Sequence, residues 1–317
     1  MANQGSGLSQ PALVVVGSIN ADLIAYSNEE NRIGNYVFGE RFSFNLGGKG
    51  LNQAVNAASS GANTVLIGRV GDDVFGQKII SDLINFGVKT DHIKIDESAH
   101  TGIGHVRVSS SGEYDTVVVN GANSNLKFKE VEDAVKHLDG ISFGLMNYEI
   151  SSEVISASAE LIRSRGGSTI INFSPVVPDI RYVISDADYL VANADEIRSL
   201  LGQDSNDIQA LALAVQSNGA KNVIITLGEQ GAYGLDEFGN SYTVKSESVE
   251  ITNTIGAGDT FLAMLALALH SGSSFEHALS FANYSAALVC TKQESFLSGS
   301  DVLQAIQKFD LKIQSSN

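Results

Sequence analysis

Cysteine and clustered basic residues are scarce in this sequence, and each absence excludes a class of protein. Cys290 is the single cysteine among 317 residues, so the chain cannot form an internal disulfide, which fits a reducing compartment. No run of Lys and Arg occurs, and the formal net charge is -16. Nucleic-acid-binding proteins need a cationic surface to neutralise phosphates, so a polynucleotide partner is not expected.

Long apolar stretches are also missing. No apolar run reaches the ~18 residues that a membrane helix needs. Residues 1–10 are polar and lack the apolar centre of a signal peptide. The sequence therefore predicts a cytoplasmic protein that has no membrane partner.

Short apolar runs, in contrast, recur along the chain and alternate with helical patterns. A continuous apolar run is typical of a strand that is buried on both faces, as in a parallel sheet. Such runs lie at 12–17, 64–67, 168–172, 189–192 and 222–226, and helical patterns lie at 50–60, 75–86, 153–165 and 208–216. This alternation predicts an α/β fold with a doubly wound, mainly parallel sheet flanked by helices.

Two segments interrupt the alternation and predict a separate small sheet. Residues 22–44 and 105–120 alternate between polar and apolar positions, and residues 110–113 have the composition of a hairpin turn between two antiparallel strands. We interpret them as a β-sheet lid whose strands are inserted at about 20–46 and 103–121.

The remaining chain shows no internal repeat or long linker. We therefore predict a single domain over 12–310, with flexible termini at 1–11 and 311–317. Tyr36, Phe38, Phe42 and Phe44 lie on the predicted lid strands. Exposed apolar residues at a sheet edge favour pairing with another sheet, so a homodimer through the lid is expected.

The strongest chemical motif is a glycine-rich turn, N-T-I-G-A-G-D-T-F at 253–261, followed by an apolar helix. A turn of this kind directs several backbone N–H groups and the positive end of the helix dipole at one point. It forms a nest for an anion, and Asp259 lies beside it. Taken alone, the motif leaves two interpretations of Asp259 open, a role beside a bound anion or a cap on the helix.

A second glycine-rich stretch makes the sequence similar to a known family. G-A-G-D-T-F at 256–261 resembles the C-terminal signature of the ribokinase, or PfkB-type, carbohydrate kinases, and G-G-K-G-L-N-Q-A at 47–54 resembles the other signature. The resemblance extends from about residue 14 to about residue 298, with both signatures in the family's order and spacing. It implies ATP-dependent, in-line phosphoryl transfer to a sugar hydroxyl.

The resemblance also implies roles for individual residues. Asp259 matches the base that takes the proton from the attacking hydroxyl. Gly256, Ala257 and Gly258 match the anion hole for the γ-phosphate. The matched sugar-binding positions are Asn20, Asp22, Gly47, Gly48, Lys49, Asn52 and Glu149. Lys49 has support of its own, because a cation at a helix N-terminus opposes the dipole and needs another reason to be there.

On the nucleotide side, the matched positions are Asn193, Thr226, Gly228, Gly231, Gly258 and Asn283. Glu196, in N-A-D-E, matches the element that organises Mg²⁺ through water, as suits an ion that keeps much of its hydration shell. Asn193 and Glu196 also fit a capping box at a helix start, and both interpretations can hold at once. The implied cofactor is Mg²⁺ with ATP.

One position departs from the family pattern. In ribokinases the position of Asn253 is usually an aspartate that helps to bind a monovalent cation, typically K⁺. Asparagine keeps an oxygen but loses the charge, and the segment T-K-Q-E-S-F at 291–296 lacks the glycine that is usual there. A weakened cation site and a harmless exchange both stay open, and we expect weak K⁺ dependence.

Two further stretches indicate the acceptor. S-I-N-A-D at 18–22 and G-A-N-S-N at 121–125 resemble ribokinases rather than the wider family, so D-ribose is the expected substrate. Another sugar or a nucleoside is an alternative, as is a non-catalytic sugar- or nucleotide-binding protein on the same scaffold. A dinucleotide-binding dehydrogenase is excluded, because G-S-I-N-A-D rather than G-x-G-x-x-G follows the first strand.

Overall fold

The computed structural model describes residues 12–34, 36–109, 114–176 and 182–311. The hairpin turn predicted at 110–113 and the predicted termini, apart from Leu311, lie outside these residues. Leu311 is buried in the core. The strands are β1 (Ala12–Val16), β2 (Asn20–Ile33), β3 (Tyr36–Gly47), β4 (Thr64–Gly71), β5 (Ile93–Asp96), β6 (Gly102–Val108), β7 (Tyr114–Val119), β8 (Ile141–Asn147), β9 (Ser168–Asn172), β10 (Tyr189–Asn193), β11 (Asn222–Thr226), β12 (Ala232–Leu235) and β13 (Ser241–Val244).

The α-helices lie between and after these strands. They are α1 (Lys49–Ala58), α2 (Val74–Asn85), α3 (Phe128–Val135), α4 (Ser152–Ser164), α5 (Ala194–Leu201), α6 (Ile208–Ser217), α7 (Ala257–His270), α8 (Phe275–Val289) and α9 (Gly299–Lys308). Within the described ranges, no helix is both long and apolar enough to cross a lipid bilayer.

The main sheet has nine strands in the order β13-β12-β11-β10-β9-β8-β1-β4-β5. Neighbouring strands from β11 to β5 in this order pair in parallel, and only β12 and β13 add antiparallel pairs at one edge. The chain winds from β1 first toward β4 and β5 and then toward β8 and β9. The prediction of a doubly wound, mainly parallel sheet is therefore confirmed.

Both faces of the main sheet are covered by helices. In β1, Leu13 and Val15 pack with residues of α1, α2, α7, α8 and α9, whereas Val14 and Val16 pack with residues of α3, α4, α5 and α6. Alternate residues of a strand point to opposite faces, so one short strand serves two cores. This explains why β1 reads as a continuous apolar run. It also places α1 and α7, the two helices that follow the glycine-rich turns, on the same face.

The lid is a separate four-stranded sheet in the order β3-β2-β6-β7. The pairs β2–β3 and β6–β7 are antiparallel, as predicted, but β2 and β6 pair in parallel. The expectation of antiparallel strands is thus wrong for the pair that joins the two hairpins. The physical reason is that β2 follows β1 and β6 follows β5, two strands of the main sheet that run in the same direction. Both hairpins leave the same edge of that sheet, so their first strands, β2 and β6, also run in the same direction.

The aromatic residues of β3 are not all exposed. Tyr36, Phe38 and Phe42 are exposed by 74%, 57% and 65%, as expected. Phe44 instead packs against the core and stacks on Phe75 of α2, with ring centroids 6.0 Å apart. The prediction of an exposed Phe44 is therefore wrong, because this end of β3 returns to the main domain.

Candidate active site

Asp259 lies in the first turn of α7 and is buried, with 6% of its surface exposed. Each of its carboxylate oxygens accepts a hydrogen bond from α1. Asn52 Nδ2 donates to Oδ2 at 3.1 Å, and Gln53 Nε2 donates to Oδ1 at 3.1 Å. The N-cap of α7 is Gly256, so the interpretation of Asp259 as a helix cap is wrong. Burial raises the pKa of Asp259, while the Lys49 charge and the two amide donors oppose that rise.

The turn before α7 can only be made with glycine. Gly256 has a φ of 83°, a left-handed conformation that side chains disfavour. A Cβ at this position would lie 2.0 Å from the carbonyl oxygen of Ser295. At Gly258, in contrast, a Cβ would meet no atom within 4 Å. The first N–H groups of a helix have no partner inside the helix, so the N-terminus of α7 offers free donors beside open space.

Asp22 lies on β2, close to Asp259 and Glu149. Two glycines of neighbouring strands make room for its carboxylate. A Cβ at Gly47 would lie 2.2 Å from Asp22 Cγ, and one at Gly104 would lie 2.3 Å from Oδ1. Burial, followed by the charges of Glu149 and Asp259, raises the pKa of Asp22 to about 7.

Glu149, just after β8, supports the start of α1. Its Oε2 accepts hydrogen bonds from the backbone N–H of Lys49 at 3.0 Å and from Ser18 Oγ. The N-cap Gly48 has a φ of 87° and no side chain to cap the helix, so Glu149 supplies the acceptor. A carboxylate at a helix N-terminus is also favoured by the dipole. The predicted sugar ligand Glu149 therefore has a structural role as well.

Asn123, a residue for which no separate role was predicted, fixes Asn20. Asn123 Nδ2 donates to Asn20 Oδ1 at 2.7 Å, and Asn123 Oδ1 accepts from the N–H of Ile19 at 2.9 Å. Asn123 belongs to the G-A-N-S-N stretch, which was the available signal. The predicted sugar-binding positions thus come together between β2, β8 and the start of α1. Asn52 differs from the others, because its amide already donates to Asp259.

A cavity of about 630 Å³ begins at the N-terminus of α7, a size that suits a small-molecule site. The six predicted nucleotide-binding positions, Asn193, Thr226, Gly228, Gly231, Gly258 and Asn283, all line it. Asn283 is held by a hydrogen bond from its Nδ2 to the carbonyl of Lys245 at 3.0 Å. Sequence reasoning missed the lining residues at 246–249 and 251, which belong to an irregular segment without a motif.

Comparison with known proteins decides the family. The model of the pfkB family carbohydrate kinases matches residues 10–299. The chain belongs to this family.

Similar proteins of the family cover nearly the whole chain. A ribokinase of Schizosaccharomyces pombe is 32% identical over 95% of this chain and 98% of its own length. A deoxyribokinase of Salmonella typhi is 28% identical over 80% of this chain and 84% of its own. The structure of an Arabidopsis thaliana ribokinase complexed with ribose and ATP has a TM-score of 0.84 and 25% identity, and the match covers 94% and 99% of the two chains.

As a member of the pfkB family, the protein is expected to use a divalent metal with ATP, and the described residues limit how it could be held. Glu196 Oε2 accepts from the N–H of Asn193 at 2.8 Å, and Asn193 Oδ1 accepts from the N–H of Glu196 at 2.8 Å. The capping-box interpretation is thus confirmed. Among the described residues, no group of three or more His, Cys, Asp or Glu could hold a metal ion. Glu196 is the residue that would hold Mg²⁺ through water, as its sequence match implies.

Asn253 uses both ends of its side-chain amide in hydrogen bonds. Its Oδ1 accepts from the N–H of Ile255 at 3.0 Å, and its Nδ2 donates to the carbonyl of Gln293 at 3.2 Å. Because the N–H of Ile255 requires an oxygen partner, the NH₂ group must face Gln293. The amide therefore presents an N–H donor, not an oxygen, to the carbonyl of Gln293. The amide itself ties the anion-hole turn to the 291–296 segment.

Proposed function

We propose that this carbohydrate kinase transfers the γ-phosphoryl group of ATP to a hydroxyl of D-ribose, giving D-ribose 5-phosphate. The observation that carries the proposal is the position of Asp259. It follows Gly258, which lines the 630 Å³ cavity, and its charge acts on Asp22 in the polar region on the other side. A carboxylate between a nucleotide-sized cavity and a cluster of hydroxyl-binding groups suits a base for phosphoryl transfer.

The chain's own groups account for the main requirements of the reaction. Asp259 accepts the proton of the attacking hydroxyl. The N–H groups at the start of α7, with the helix dipole, stabilise the negative charge on the transferred group. Of these, the N–H of Ala257 also donates to the carbonyl of Thr254 at 3.3 Å. Asp22 and Glu149 accept hydrogen bonds from other hydroxyls and so orient the sugar. Mg²⁺, when bound with the nucleotide, neutralises part of the phosphate charge.

Ribose is the favoured acceptor for two reasons. The ribokinase of Schizosaccharomyces pombe matches almost end to end, and a similar structure is a ribokinase complexed with ribose and ATP. The deoxyribokinase relative makes 2-deoxyribose the second candidate, ahead of other sugars and nucleosides. Asp259 and the glycine turn are intact, which disfavours a non-catalytic protein.

The decisive experiment is an ADP-release assay with ribose, 2-deoxyribose, fructose, tagatose and nucleosides as acceptors. We expect the highest kcat/KM with ribose. A higher kcat/KM with 2-deoxyribose than with ribose would identify 2-deoxyribose as the preferred acceptor. ADP release no faster than in the Asp259→Asn variant, with every acceptor, would overturn the proposed activity.

A further inference from the structure

We infer that Gln53 is a positioning residue for Asp259: together with Asn52 it holds the carboxylate in one orientation and favours its ionised form, the form that accepts a proton. The inference rests on the proposed function, because it gives Asp259 the role of base. It adds Gln53, which is neither a predicted sugar-binding position nor a lining residue of the cavity, to the residues on which turnover depends.

The geometry of the pair is the first argument. Adjacent residues of a helix do not normally face the same partner, because they point in directions about 100° apart. Asn52 and Gln53 nevertheless donate to the same carboxylate, one amide to each oxygen, both at 3.1 Å. Asp259 must therefore lie between the two directions. A carboxylate bound on both sides cannot rotate about its Cβ–Cγ bond without losing both bonds.

The unpaired oxygen of Gln53 is the second argument. Gln53 is fully buried, and its Oε1 has no hydrogen-bond partner within the described part of the chain. A buried acceptor without a donor is destabilising, so packing alone would favour an apolar side chain of the same length. The bond from Nε2 to Asp259 gives the glutamine a reason to be there.

The charges around Asp259 supply the third argument. Acidic groups face it from Glu149, just after β8, and from Asp22 on β2, and the Lys49 cation faces it from the start of α1. Burial and the Glu149 charge favour the protonated form of Asp259, whereas Lys49, Asn52 and Gln53 favour the ionised form. Amide donors hydrogen-bond the carboxylate and disfavour its protonation. Loss of one donor should therefore raise the pKa of the base.

Gln53 gives a cleaner test than Asn52, which matches a sugar-binding position. Gln53→Met removes the donor and keeps the length of the side chain, and Gln53→Glu keeps the shape and adds a carboxyl group. We expect the acidic limb of the kcat–pH profile to move to higher pH, by about one unit in Gln53→Met and further in Gln53→Glu. On that limb kcat should fall by up to about tenfold in Gln53→Met and recover at higher pH, with the KM for ATP within about threefold of wild type.

Asn56→Ala is the matched control. Asn56 lies one turn further along α1 and is equally buried, but it bonds the carbonyl of Asn52 and the N–H of Leu297 rather than Asp259. This variant should lose stability without moving the acidic limb. If Gln53→Met and Gln53→Glu lower kcat equally at every pH, as a structural defect would, the inference is wrong.

A measurement without substrate separates this inference from the proposed function. Gln53→Met should be less stable than wild type by a margin that grows as pH rises. The ionised carboxylate, which is the form that loses its donor, becomes more populated at higher pH. A difference that does not change with pH would overturn the inference even in an active enzyme. The same pH-dependent difference in a protein without kinase activity would support the inference and reject only the proposed function.

Discussion

Three acidic residues of the site lie close together in a largely buried region. Asp22, Glu149 and Asp259 come from three different elements, and the charges of the other two raise the pKa of Asp22. Like charges at close range disfavour ionisation, as does burial. The three acidic groups therefore destabilise the folded protein. A sugar that donates hydroxyl hydrogens to their oxygens would relieve the repulsion.

Asp22 should therefore make stability fall as pH rises. Its pKa is about 7 in the folded protein against an ordinary 3.8, so the folded state binds the proton more tightly. The stability conferred by that proton is present below about pH 4 and is lost as pH rises to about 7. Asp22→Asn should therefore be stabilised relative to wild type more at pH 8 than at pH 4. The gain in unfolding free energy should differ between the two pH values by on the order of 2 to 4 kcal/mol. Urea unfolding of the sugar-free protein at both pH values tests this, and an equal difference at both would contradict it.

Asp259→Asn should abolish most of the turnover and leave the fold in place. The amide has nearly the same shape but cannot accept the proton, and loss of a general base typically lowers the rate by about 10² to 10⁴. Since Asp259 does not line the nucleotide cavity, the Kd for ATP should change little, as calorimetry can show. Turnover within threefold of wild type would remove Asp259 from the role of base.

At the scale of elements, the anion-hole turn depends on a neighbouring segment for its shape. The Asn253 amide bonds both the N–H of Ile255 and the carbonyl of Gln293, and the backbone N–H groups of Thr252 and Asn253 donate to the carbonyl of Cys290. Ser295 of the same segment packs against Gly256. The turn is thus held by hydrogen bonds to the end of α8 and the residues after it.

This arrangement predicts weak dependence on K⁺. Wild-type activity should be appreciable in a K⁺-free sodium or Tris buffer, because the Asn253 NH₂ group already bridges to Gln293. In Asn253→Asp two oxygens would face each other at about the present 3.2 Å, and a cation between them would relieve the repulsion. We expect lower activity in that variant without K⁺ and a larger stimulation by K⁺ at constant ionic strength.

The wild-type protein is its own control in the K⁺ experiment. A tenfold or greater rise in wild-type activity on adding K⁺ would show that a cation site is intact despite the amide. If Asn253→Asp responds to K⁺ no better than wild type, charge at this position is not the missing element.

Elements that bury both faces were the easiest to predict from the sequence. β9 and β11 have the predicted bounds because a strand between two helical layers reads as an unbroken apolar run. β8 was not predicted, since Ser142 and Gly144 interrupt its run. The parallel pairing of β2 with β6 also escaped prediction, because register between strands that are distant in the chain leaves no local signal.

Prediction of the site had a similar limit. Motifs indicated Asp259, Asp22 and the positions around the cavity, because a glycine turn and a nearby carboxylate are local patterns. Gln53 was missed because its role exists only through a contact with a residue 206 positions away. Gln53 belongs to the G-G-K-G-L-N-Q-A signature, but that local pattern does not predict the partner of its amide.

The whole molecule carries an apolar surface on its lid that has no cover within the described ranges. β3 and β7 are the edge strands of the lid. The exposed apolar residues on them are Tyr36, Phe38 and Phe42 of β3 and Val117, Val118 and Val119 of β7. Bare apolar edges of this kind favour pairing with another sheet. A second copy of the lid would offer the same edges in return.

We therefore predict a homodimer through the lid. Light scattering at micromolar concentration should give twice the chain mass of 33.5 kDa, and Phe42→Glu should shift the protein toward the monomer. Phe238→Glu is a suitable control, because Phe238 is 82% exposed and follows β12 on the main domain. A monomeric mass for wild type, or the same loss of dimer in both variants, would contradict the prediction.

The packing of α1 against α7 also bears on how the protein is made. The predicted sugar-binding positions from Asn20 to Glu149 precede Asp259 in the chain, so a ribosome adds them before the proposed base. A nascent or truncated chain that ends before α7 lacks this carboxylate. If the proposed function holds, such a chain binds ligands at most and does not consume ATP.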